Sequence, residues 1–144
     1  MARKPQLFFS HSAEEGSSDR AVLMGLADAL KDDYDILLDR TALVAGGSWR
    51  PIINGWVTGC DAAVILITPE SIDSDFCRYE WSALSFRHRE DDLLIIPVYH
   101  RARPDDIKGR ADQISDITGY FDFDNIESLS HKLKERLSAE SSSP

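Results

Sequence analysis

The sequence predicts an α/β fold: a parallel sheet with helices on both faces, joined by right-handed crossovers. Two observations predict it. Apolar, β-branched runs alternate along the chain with stretches of helical periodicity, five times in all. One of those runs, "AAVILIT" (62–68), is apolar throughout, which suits a central strand covered on both faces.

The elements follow in order. "QLFFS" (6–10) reads as the first strand, and "DRAVLMGLADALKDD" (19–33) as an amphipathic helix. "DILLDR" (35–40) is a second strand, the loop "TALVAGGS" (41–48) follows, and a helix runs from about Trp49 to Gly59. The central strand stops at Pro69, and a helix covers about Asp75 to Arg89, with Ser74 a good N-cap. "LLIIPVYH" (93–100) is a fourth strand. Its Pro97 cannot donate to a ladder, which favours a bulge or a place near an edge. A polar stretch with a short irregular helix (101–117) leads to "GYFDF" (119–123) as a fifth strand. "NIESLSHKLKERLSAE" (125–140) closes the chain as a helix capped by Asn125 or Asp124.

At 144 residues and 42% hydrophobic, the chain can bury one core and forms one domain, 1–138, with 139–144 a linker-like tail of the kind that joins a further domain. A net charge of −9 with no basic stripe argues against direct nucleic-acid or anionic-membrane binding, although the arginines of "YHRARP" (99–104) can touch an anionic small molecule. "MARKPQLFFSHS" is too short in its apolar part for a signal peptide, and no run reaches membrane-spanning length. Cys60 and Cys77 match no zinc spacing and make no disulfide framework. A cytoplasmic, reduced protein without metal is expected.

In such sheets ligands bind beyond the C-terminal ends of the strands, near the switch in strand order. Three loops leave strands there and should meet: Ser10 to Asp19, Asp39 to Trp49, and Thr68 to Glu80. On the helix from Asp75, Cys77, Trp81, Leu84 and His88 share one face at roughly 100° per residue. Glu80 falls about 60° to one side, at the border of that face, beside Phe76. Taken alone it reads as an exposed helix glutamate. A working carboxylate whose pKa is raised by partial desolvation is the alternative. Cys77 reads as a small buried hydrophobe rather than a nucleophile, having no basic partner nearby. Gly46 and Gly47 let backbone approach a ligand closely, or simply make a flexible turn. Trp49 is either core or a stacking platform. Asp39 is either a turn former or a strand-end carboxylate, and His11 a loop residue or ligand contact, not a metal ligand. The acidic run "SAEEGSSD" (12–19) reads as a solvated loop.

Taken together, "FFSHS", "LLDRTALVAGGSW", "CDAAVILITPES" and "SDFCRYEW", in this order and at these spacings, resemble the Toll/interleukin-1 receptor (TIR) domain from Leu7 to about Leu137. The resemblance implies a flavodoxin-like sheet of five parallel strands in the order 2-1-3-4-5. It places Glu80 in the S-x-x-C-x-x-E box, where the enzymatic branch of the family keeps the glutamate that cleaves NAD+. Signalling members often carry R-D-x-x-P-G in the BB loop. Here the proline is absent and "LDR" stands in place of Arg-Asp, which favours the enzymatic class. The implied reaction is an NAD+ nucleosidase, releasing nicotinamide with ADP-ribose or a cyclic isomer, in an immune or anti-phage role. NAD+ is then the substrate, and no cofactor is implied.

By the same resemblance, Trp49 would stack near nicotinamide, Phe76 would wall the pocket, and Asp39, Ser10 and His11 would border the nucleotide. Residues Ala42, Leu43, Val44, Ala45, Gly46 and Gly47 form the BB loop, through which TIR domains would assemble into homo-oligomers or filaments. The alternative is a non-enzymatic TIR–TIR interaction module, an adaptor or a virulence mimic. A response-regulator-like domain is disfavoured: the first strand leads into "SHS" and the third ends "ILITPES", without the acidic cluster and phosphoacceptor Asp that class needs.

Overall fold

Alternation along β1 (Gln6–Ser10) sorts the core into two layers. The structure, a computed structural model, describes residues 4–11, 18–37, 55, 57–73, 75–109, 111–121 and 123–141, with the backbone alone at Asp75, Phe76, Gln113, Glu140 and Ser141. Successive strand side chains point to opposite faces. Thus Phe8 joins Ala63, Ile65, Ile67, Ile95 and Tyr99 in one layer, and Leu7 and Phe9 join Ala62, Val64, Leu66, Ile96 and Val98 in the other.

The described strands are β1, β2 (Asp35–Leu37), β3 (Ala62–Ile67) and β4 (Leu94–Tyr99), in the order β2-β1-β3-β4 and all parallel. All six residues of β3 are buried, as its unbroken apolar run predicts. Helix α1 (Ser18–Leu30) packs Val22, Leu23, Leu26 and Leu30 on one side of the sheet. The closing helix, α5 (Ile126–Ser141), lays Leu129, Leu133 and Leu137 on the same side, at the four-residue spacing of one helical face. Asn125 caps α5: its Oδ1 accepts from the Ser128 N–H at 2.7 Å. The opposite side carries α3 (Asp75–Asp91), whose Cys77, Trp81 and Leu84 are buried against it. Also on that side are a 3-10 turn (Pro104–Ile107) and the short α4 (Asp112–Ser115), through Ile107 and Ile114.

Pro69 ends the strand and also opens a one-turn helix, α2 (Pro69–Ile72), that the sequence reading does not contain. The Ser71 N–H donates to Thr68 Oγ1 at 3.2 Å and the Thr68 N–H to Ser71 Oγ at 2.8 Å, a reciprocal cap. Of the helix expected over 49–59, residues 55 and 57–59 are described and helical. Residues 38–40 of the expected second strand lie outside the described residues.

The fifth strand expected over 119–123 is not confirmed. Among its described residues there is a single parallel bridge, Val98 with Tyr120. The Tyr120 N–H donates to Pro97 O at 2.9 Å, and the Tyr99 N–H to Tyr120 O at 2.8 Å. His100 N–H turns the other way, to Ile67 O on β3, so the odd-numbered residues of β4 face the outer edge. Pro97 is one of them, and the donor it lacks is the one that would carry the ladder back to Thr118. Arg136 of α5 fills the gap, donating from Nη1 to Thr118 O at 2.6 Å and from Nη2 to Ile95 O at 3.4 Å. Gly119 lets the chain come this close: a Cβ there would lie 2.6 Å from Pro97 O.

Candidate active site

Glu80 stands on α3 one turn after Cys77 and one turn before Leu84, so its flanking turns are anchored in the core. Instead of lying exposed or at the border of the buried face, it is completely buried, at 0% exposure. β1 explains the burial. Ser10 is the last residue of that strand, has the parity of Phe8, and therefore faces α3. Its Oγ donates to Glu80 Oε1 at 2.7 Å, a bond between two fully buried side chains 70 residues apart. A carboxylate removed from water needs such a donor, because desolvation penalises the charge.

The pair sits where a ligand crevice belongs. β1 has β2 on one side and β3 on the other, so the strand order switches at its C-terminal end. His11, directly after Ser10, is also buried, at 2%. Cys77 is buried and not part of a disulfide, in keeping with a packing role. Cys60 lies away from this end of the sheet, with its thiol pushed up to about 11 by burial, which keeps it protonated. Tyr99 lies in the same core layer as α3, its phenol pushed up to about 12 by burial. Among the described residues no group of His, Cys, Asp and Glu could hold a metal ion.

A second cluster at this end of the sheet escapes the sequence reading. Asp19, in the first turn of α1, is 4% exposed rather than part of a solvated loop. Arg101 donates from Nε and Nη2 to its two oxygens at 3.2 and 2.5 Å, and His100 Nδ1 meets Oδ1 at 2.5 Å. Arg101 Nη2 also reaches Glu70 Oε2 on α2 at 2.6 Å. One guanidinium thus ties together the elements that follow β1, β3 and β4, with its own backbone at φ 60°, unusual for a non-glycine residue. Desolvation alone would raise the Asp19 carboxyl. The hydrogen bonds and charges of Arg101 and His100 outweigh it and hold the carboxyl below the ordinary range. The sequence signal was present in "YHRARP", but its partners are 81 and 82 residues away.

Of the residues singled out in the sequence, the structure brings together Ser10 and Glu80, with His11 adjacent in the chain. Asp39, Ala42, Leu43, Val44, Ala45, Gly46, Gly47, Trp49 and Ser74 lie outside the described residues, as does the Phe76 side chain.

A family match decides what this arrangement belongs to: the TIR domain model matches residues 7–137, nearly the whole chain. The chain is a member of the TIR domain family. Its curated relatives include the 2' cyclic ADP-D-ribose synthase BtTIR of Bacteroides thetaiotaomicron. That protein is 23% identical over 101 residues, covering 69% of this chain and 34% of the relative. Another is the 2' cyclic ADP-D-ribose synthase AbTIR of Acinetobacter baumannii, 22% identical over 129 residues, with 88% and 47% covered. This TIR domain therefore spans only a third to a half of the length of these relatives.

Among solved structures, the TIR domains of the activated Roq1 resistosome superpose with a TM-score of 0.69 at 15% identity, covering 93% of this chain and 99% of that one. A metazoan TIR-STING receptor from C. gigas gives 0.64 at 15% identity, with 91% and 40% covered. These likenesses establish the fold, a parallel α/β sheet with the Glu80-bearing helix α3 on one face.

Proposed function

We propose that this TIR domain cleaves the bond between nicotinamide and ribose in NAD+, with Glu80 as the catalytic carboxylate. The observation that carries the reading is the buried Glu80 carboxylate, held by Ser10 at the strand-order switch point. Nicotinamide leaves a cationic pyridinium as a neutral base and takes the bonding pair of the C–N bond with it, so no proton has to be delivered to it. The burden falls on the ribose. A carboxylate that binds ribose hydroxyls and faces the anomeric carbon stabilises the oxocarbenium character that develops there. Capture by a hydroxyl of the same molecule closes a cyclic ADP-ribose and releases a proton. Capture by water gives ADP-ribose. Both bacterial relatives are 2' cyclic ADP-D-ribose synthases, which supports the cyclic outcome. His11, Asp39, Trp49 and Phe76 are proposed to border the nucleotide, as the family resemblance implies.

We further propose that turnover requires self-association, in an immune or anti-phage setting, with the BB loop (Ala42 to Gly47) completing a neighbour's site. The complete burial of Glu80 in the single chain supports this, since a dinucleotide must gain access to a carboxylate with no exposed surface. The same burial favours a second reading, in which Glu80 is structural and the domain acts only as a TIR–TIR interaction module.

One experiment separates the two. The protein, clustered on a multivalent tag, is incubated with NAD+ and nicotinamide release is followed. The enzymatic reading expects turnover that falls at least roughly 100-fold in Glu80→Gln while thermal stability stays near wild type. Absence of turnover from clustered wild type, together with loss of folding in Glu80→Gln, selects the interaction module.

A further inference from the structure

We infer that Ser10 is a positioning residue: it fixes the plane of the Glu80 carboxylate rather than contacting the nucleotide. The inference rests on the catalytic reading of Glu80 and departs from the substrate-bordering role expected for Ser10. Two observations carry it. Its backbone is committed to the sheet, in register with Ile65 of β3, so its Cα cannot drift as a loop residue would. Its hydroxyl is already spent on Glu80 Oε1 at 2.7 Å, within the ordinary range for a hydroxyl donating to a carboxylate.

A glutamate on a helix has three rotatable bonds, and core packing of the neighbours Cys77, Trp81 and Leu84 fixes its Cα. A hydrogen bond from the rigid end of β1 constrains the carboxylate itself. An ionised carboxylate offers about four acceptor sites, and the Ser10 hydroxyl takes one of them on Oε1, which orients the group's plane. The chain thereby spends a strand-end hydroxyl on aim, and a small error in aim at a reacting centre costs about two orders of magnitude in rate.

The test uses Ser10→Ala, Ser10→Thr, Glu80→Gln, Glu80→Met, which removes the acceptor, and the Ser10→Ala/Glu80→Met double variant in the clustered protein. Positioning predicts that Ser10→Ala lowers kcat roughly 10- to 100-fold with KM changed less than about threefold, and that Ser10→Thr, which keeps the hydroxyl, recovers most of the loss. Denaturant midpoints, which need no turnover, are expected to be non-additive in the double variant, because the two groups share one bond. A raised KM at unchanged kcat in Ser10→Ala would place the hydroxyl on the substrate and overturn the inference. Additive denaturant midpoints would do the same by denying the bond. Full turnover in Glu80→Gln, or none in clustered wild type, overturns the catalytic reading beneath it. That result is distinct from normal kcat in Ser10→Ala of a protein that Glu80→Gln silences, which removes the positioning role alone.

Discussion

At the scale of single residues, the end of the sheet carries two buried carboxylates among the described residues, and each is held by a donor far away in sequence. Glu80 is met by Ser10, and Asp19 by Arg101 and His100. Their environments make different demands. Asp19 has its carboxyl held below the ordinary range, so its contribution to stability is fully present above the unfolded value near 4. That contribution is lost as pH falls through the lowered folded value, because the unfolded chain then binds the proton more readily than the folded one. Asp19→Asn is therefore expected to cost about 1–3 kcal/mol near neutral pH and progressively less in acid. Denaturant midpoints of wild type and variant, measured across pH, check this by converging at the low end.

Residue patterns left much of this legible. The parity of Phe8 and Ser10 on one strand face, and the spacing of Cys77, Trp81 and Leu84, were open to direct reading. Helix geometry placed Glu80 only at the border of a face. What buries it is the end of a strand 70 residues earlier, which no local window contains. Asp19 was hidden for the same reason, inside a run that looks solvated until Arg101 is brought to it.

Among the elements, Pro97 has its effect on its neighbour rather than on its own strand. β4 keeps its pairing with β3 through residues of the other parity, while the missing N–H leaves the next segment a single bridge at Tyr120. A local reading can see that a proline weakens a strand but not which edge it faces. The Arg136 guanidinium takes over, bonding two carbonyls that a full ladder would have used. Arg136→Ala is expected to lower stability by about 1–3 kcal/mol, with Arg136→Lys recovering only part, since an ammonium lacks the planar fork. Gly119→Ala should be destabilising by a similar amount, because its Cβ meets backbone that cannot swing aside. Thermal melts of the three variants measure both expectations.

For the whole molecule, the sheet places Ser10 and the Asp19–Arg101 cluster at the C-terminal strand ends, while the two core layers sit behind them. The fold class was readable because it rests on periodicity, while the strand order through β4 and the helix of the S-x-x-C-x-x-E box came from the family resemblance. The short α2 was not, since four residues carry too little periodicity and its signal is a reciprocal Thr68–Ser71 cap instead. If self-association opens access to Glu80, nicotinamide release per protomer should rise with protein concentration or tag valency. A rate per protomer that stays constant over a hundredfold dilution would remove that requirement.

Pro97 and Arg136 have a consequence for a protein proposed to work crowded against its own copies. A bare parallel edge is an invitation to unlimited strand-to-strand stacking, which would trap neighbours in an aggregate. Three outward backbone groups of β4 are already taken, Ile95 O by a guanidinium and Pro97 O and the Tyr99 N–H by a tethered tyrosine. If copies gather as proposed, these bonds leave this flank fewer free groups for strand-to-strand stacking, which would favour reversible crowding.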